Sequence, residues 1–163
     1  MKIGEMTMAK RSRTKTTHRY TECGLDNVVI EGISTVVDDA AETVLTIPNI
    51  NGLHRAISLG IVSRKSSMSG KELRFLRTEM GMTQAELATM IHREPLAISR
   101  WERGETPVDS NAETLIRLHA IDVLDIDLEA SVRELSGWSI PSAEEVPIEI
   151  DGTDPDNYRP IAA

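Results

Sequence analysis

Arg93, Arg100 and Arg103 fall in the run REPLAISRWER. A guanidinium is planar and always charged, and it offers paired N–H donors to a phosphate or to a base edge such as guanine O6 and N7. Just upstream, Thr83 and Gln84 open the run TQAELATMI. A hydroxyl or amide side chain beside the free backbone N–H groups of a helix start is a second way to meet a phosphate. Other constellations lack the spacing their chemistry needs. His18, His54, His92 and His119 are far apart, with no metal-ligand spacing. His54 reads as a packed or surface histidine. Cys23 has no evident base beside it and reads as a small buried residue. Asp122, Asp125 and Asp127 lack the glycine and closing glutamate of a calcium loop. There is no glycine-rich phosphate loop, nucleophile elbow or kinase signature. The expectation is no catalytic residue, no metal and no cofactor.

The elements that must position these residues are legible from their ends. Ser69–Glu72, Thr83–Glu86 and Ser110–Glu113 each have capping-box spacing. Gly81 and Gly104 stand where helices should stop, and Pro95 suits a first helical turn. These signals predict helices over about 70–80, 84–91, 95–103 and 111–124. A fifth, over about 128–136, would start at Asp127 and stop at Gly137. The second and third are joined by about three residues, the connection of a helix-turn-helix whose second helix enters the DNA major groove. Ala85, Leu87, Ala88 and Ile91 would face a core, with Ile98 and Trp101 locking the reading helix on it. Leu73, Leu76, Leu115 and Leu118 would complete that core. This leaves Leu96, Ser99 and Arg100 to read bases, and Thr83, Gln84, Arg93 and Arg103 to hold phosphates.

The charge is distributed to match. The chain has 163 residues and a net charge of −8. Residues 64–103 nevertheless carry eight cations against five acids, whereas residues 104–163 carry three against fourteen. A local cationic face survives in an acidic chain. Residues 1–19, with six cations and one acid, read as a disordered basic tail. Residues 20–66 read as a small α+β domain. NVVIEGISTVV and ETVLTIPNI suggest strands, and Leu53, Ile57 and Ile61, four apart, suggest a helix capped by Asn51. Arg64 to Gly70 reads as a polar linker. Residues 67–137 form the helical domain, and residues 138–163 an acidic C-terminal tail with one possible edge strand, VPIEID. No apolar run is long enough to span a bilayer, and no apolar signal core is visible, so a cytoplasmic protein is expected.

The string TQAELA followed by ISRWERGE resembles the helix-turn-helix of the Xre, or phage-repressor, family over about residues 69–124. Trp101 takes that family's aromatic core slot and Gly104 its helix stop. The pattern usually has Gly where His92 stands and a small polar cap where Glu94 stands. The resemblance implies a mainly α fold: a five-helix Xre-type domain preceded by the α+β domain. The order of sheet, short helix with Leu53–His54, and DNA-binding domain also resembles the MqsA-type antitoxins. Those carry a zinc domain with two Cys-x-x-Cys pairs; Cys23 alone cannot supply four thiolates, so no structural zinc is expected in a monomer. HigA-type antitoxins share the helix-turn-helix without zinc. Both resemblances imply a homodimer on a palindromic operator in double-stranded DNA, repression of its own operon, and neutralisation of a cognate toxin. Half-sites would lie about one helical turn or a multiple apart. Leu128, Val132 and Leu135 form a stripe that could pair across the two-fold axis. The alternative is a stand-alone Xre-family transcription factor or prophage repressor, with a sensing or oligomerising N-terminal domain.

Overall fold

The computed structural model describes residues 14–37, 39–139 and 146–161. In chain order the elements are β1 (Thr14–Tyr20), β2 (Val28–Val37), β3 (Thr43–Leu45), α1 (Ile50–Ser63), α2 (Gly70–Glu79), α3 (Gln84–Met90), α4 (Pro95–Glu102), α5 (Ser110–Val123), α6 (Val132–Trp138), β4 (Ile148–Asp151) and β5 (Arg159–Pro160). The described residues thus contain six helices, of which α1, expected in the N-terminal domain, packs with the sheet.

The strands run β1-β2-β4-β5, with β3 paired to the far end of β2. β1 starts at Thr14, so the last part of the segment expected as a basic tail is a strand; residues 1–13 of that tail lie outside the described residues. Its composition reads as unfoldable because it is poor in apolar groups. Threonine is nevertheless a good strand former, antiparallel pairing with β2 supplies backbone partners, and buried Tyr20 anchors the strand end. β2 carries a bulge at Gly32 (φ 74), across which the inward-facing set changes from Val28 and Ile30 to Ile33 and Thr35. A Cβ at Gly32 would lie 2.6 Å from Thr153 Cγ2, so the bulge needs glycine.

The strand expected within VPIEID forms at Ile148–Asp151, but inside the sheet rather than at its edge. β4 is an interior strand, parallel to β2 on one side and antiparallel to β5 on the other. Ile148 and Ile150 are buried and Glu149 and Asp151 exposed, so its acids occupy only the outer face. Tyr158, in the stretch expected to fray, is buried and donates its hydroxyl to the Pro48 carbonyl at 2.7 Å. A parallel pair needs a crossover; here the entire helical part of the chain lies between β2 and β4.

α1 packs against β4 and β5, and Leu53, Ile57 and Ile61 are buried as their spacing predicts. Its cap is Asn49, not Asn51: Asn49 takes φ 55 and its side chain accepts from Gly52 N at 3.1 Å. Two other caps also move. Asp109, not Ser110, caps α5, and Ser131, not Asp127, caps α6 through a capping box with Glu134. α6 runs through Gly137 to Trp138. Glu113 is released from capping because it turns inward: it accepts from Met68 N and pairs with Arg117.

The expected linker is a fixed joint. Arg117 is fully buried, and its guanidinium donates to the carbonyls of Val62 (2.9 Å), Arg64 (2.7 Å) and Ser66 (2.5 Å). Arg64 in turn pairs with Glu72 at 2.5 Å and donates to Val146 O at 3.0 Å. α1, the connection, α2, α5 and the entry to β4 therefore share one hydrogen-bonded network. A second bridge runs from the Tyr20 hydroxyl through His54, 2.9 Å to each side, to Glu79 on α2. Leu135 is buried within its own chain, so the stripe of Leu128, Val132 and Leu135 is not a free dimer surface; of the three, Val132 is exposed and Leu128 half-buried. Ala85 and Leu115, expected in the core, are exposed, and Ile116 and Ala120 fill the place given to Leu115.

Candidate nucleic-acid interface

α3 and α4 carry the residues singled out by the sequence. α3 starts at a complete capping box: Thr83 Oγ1 accepts from Glu86 N at 3.1 Å, and the Glu86 carboxylate accepts from Thr83 N at 2.8 Å. It ends where His92 takes φ 54, a left-handed turn, with Arg93 N donating to Ala88 O at 2.9 Å. Histidine is among the few side chains that enter this region with any frequency. It stands where glycine is usual and makes the same turn. Pro95 then opens α4, and Glu94 at the cap position makes no side-chain cap bond.

α4 is seated from behind. Ile98 and Trp101 are buried, Trp101 at 6% exposure. Gly70 lets the start of α2 close on the end of α4: a Cβ there would lie 1.9 Å from the Trp101 carbonyl oxygen. Glu102, on the inward side, accepts from Arg77 Nε at 2.5 Å and Nη2 at 3.1 Å, and from the Gln84 amide at 2.8 Å. Arg77 also donates to Met82 O at 2.9 Å, so one carboxylate ties α4 to α2 and to the start of α3. This clamp was not foreseen, because its partners lie up to 25 positions apart in sequence. It also gives the Gln84 amide a partner within the chain.

The opposite side of α4 is open. Leu96 is 53% exposed, Ser99 is half-buried, and Arg100 is exposed, with no hydrogen bond or ion pair from its guanidinium to another described residue. Arg103 folds back, donating to Ser99 Oγ at 2.6 Å and to the Glu105 carboxylate at 2.9 and 3.2 Å. Arg93 pairs with Asp109. The arginines hold both acids ionised: hydrogen bonds from Arg103 pull the Glu105 carboxyl below its ordinary range. The bond from Arg93, assisted by Asn111 N–H, does the same for Asp109. Elsewhere Cys23 is half-buried, and burial with Glu22 and Glu79 nearby pushes its thiol up, away from a reactive thiolate. No cluster of metal-ligand type occurs among the described residues.

Residues 73–121, which span most of α2 through α5, match a family model described as helix-turn-helix. Residues 73–121 are a helix-turn-helix domain. The match supports an Xre-like, DNA-binding transcription regulator and double-stranded DNA as its partner; the family is one of regulators and generally non-enzymatic. Comparison with curated proteins and with solved structures gives no match. Among the described residues no helix is long and apolar enough to cross a membrane.

Proposed function

We propose that the protein is a sequence-specific transcriptional repressor whose α4 lies in the major groove and whose Arg100 reads guanine. The observation that carries this is the two-sidedness of α4. One side is fixed by Ile98, Trp101 and Glu102, and the other presents Leu96, Ser99 and Arg100, whose guanidinium makes no hydrogen bond or ion pair with another described residue. An exposed guanidinium on a rigid backbone is poised for two parallel bonds to a base edge. On this reading Arg93 and Arg103, before and after α4, and Thr83 and Gln84 at the start of α3 contact backbone phosphates. The protein would act as a homodimer on a palindromic operator. The test is selection of duplexes from a random pool, followed by binding of Arg100→Ala to the selected sequence. The variant is expected to lose about 5- to 150-fold in preference over scrambled DNA, corresponding to roughly 1–3 kcal/mol. An unchanged preference would overturn the assignment.

For the biological role we favour an antitoxin that represses its own operon and neutralises a cognate toxin. Support comes from the resemblance in domain order and from the fixed joint, which lets the sheet carry a second macromolecule in constant relation to α4. Co-expression with the adjacent reading frame should give a co-purifying pair and relief of growth arrest. Separate elution and no relief would leave a stand-alone regulator or prophage repressor.

A further inference from the structure

Two of the arginines proposed to hold phosphate already hold carboxylates, whereas Arg100 makes no hydrogen bond or ion pair with a carboxylate among the described residues. Arg93 is paired with Asp109 and Arg103 with Glu105. A carboxylate and a phosphate each present a pair of oxygens to a guanidinium, so each acid can satisfy its arginine as a phosphate would. The acids are themselves held near by. Glu105 is two residues from Arg103, and Asp109 is fixed by its cap bond to Asn111 N at 2.9 Å. These are the first two acids of the strongly acidic segment after Gly104, so the segment meets the basic helix at these pairs.

We propose that Asp109 and Glu105 are phosphate surrogates that set the ratio of specific to nonspecific DNA binding. This rests on the DNA-binding reading above. In a loose encounter each arginine stays with its carboxylate, and little counterion is released. When α4 seats fully, Arg93 and Arg103 exchange carboxylate for phosphate. Exchange at Arg103 also frees the Ser99 hydroxyl, which the same guanidinium occupies at 2.6 Å in the unbound protein. Phosphate grip and base contact at Ser99 are thereby coupled. Asp109 loses little in the exchange, since it keeps its helix N–H partner. Both acids are ionised at neutral pH, as ordinary exposed carboxylates are, and the arginines beside them lower their carboxyls further.

The test uses Glu105→Gln, Asp109→Asn and the double variant of the full chain. Asn caps a helix as well as Asp does, so Asp109→Asn changes charge without uncapping α5. Asp122→Asn is the control: it removes one exposed negative charge near the other end of α5, roughly 20 Å from Asp109. Binding is followed against salt on a random-sequence 30-base-pair duplex and on a duplex selected by the wild type. Each surrogate variant should steepen the salt slope on random DNA by about one unit. The selected-to-random affinity ratio should fall several-fold, and the double variant should fall further. Unchanged slopes on random DNA, or an equal rise with Asp122→Asn, would overturn the proposal while leaving DNA binding intact. Failure of the wild type to bind any duplex would instead overturn the DNA-binding reading itself, and the proposal with it.

Discussion

At the scale of single residues, the site divides into side chains that seat α4 and side chains that α4 presents. Trp101 seats it: the indole is almost wholly covered between α4 and the core. Trp101→Ala should cost about 3–5 kcal/mol, read as a lower melting temperature, and wild-type melting would show that the indole bears no load. Glu102 seats it by charge. Its side chain is 5% exposed and shared by Arg77 and Gln84. Removing it by Glu102→Ala leaves a guanidinium largely buried without a counter-charge, at a cost of about 3 kcal/mol. Arg103 is presented rather than seated, so Arg103→Ala should weaken selected DNA more than random DNA and reduce the salt slope on selected DNA by about one unit, without a change in melting.

At the scale of elements, caps and strand ends carry the consequences. Three acids at such ends have carboxyls below their ordinary range: Asp109 through Arg93, Glu134 through the backbone N–H of its capping box, and Asp151 through Thr153. A carboxyl lowered by folding contributes stability that is fully present above its unfolded value, near 4, and is lost as pH falls through the folded value. Melting temperature followed against pH should therefore decline on the acid side of about 4, and the decline should be shallower in Asp109→Asn. β4 and β5 are the other case. Deleting the chain from Val146 onward would uncover β2 and α1 together, since β4 lies along both. The truncated chain should lose near-ultraviolet ellipticity and its sharp melting.

At the scale of the whole molecule, the sheet and the helix-turn-helix domain are joined by buried charge rather than by a flexible tether. Arg117 holds three carbonyls of the connection, and Glu113 balances it from the next turn of α5. Urea unfolding should be a single transition for the wild type. Arg117→Met, which fills the space but leaves Glu113 without its counter-charge and the three carbonyls without this donor, should destabilise by about 3–5 kcal/mol. It should also raise amide exchange across residues 64–68 before other regions. Two transitions in the wild type would show that the joint does not couple the parts.

The sequence alone determined the parts of this protein whose information is local. Capping boxes at Ser69 and Thr83, the stop at Gly104, the proline that opens α4 and the four-residue spacing along α1 all act through backbone groups a few positions away. The exposed side of α4 follows from helical period once Ile98 and Trp101 are taken as its buried side. Tertiary structure decided what depends on distant partners. A cap moved to Asp109 because Glu113 found Arg117 and Met68, and Gln84 turned inward because Glu102 was there to receive it. An acidic tail became an inner strand because β2 offered a slot more than 100 positions upstream. Hydrogen-bond and charge partners brought together only by folding leave no periodic trace in the chain, and it is those partners that fix the joint and restrain the arginines beside α4.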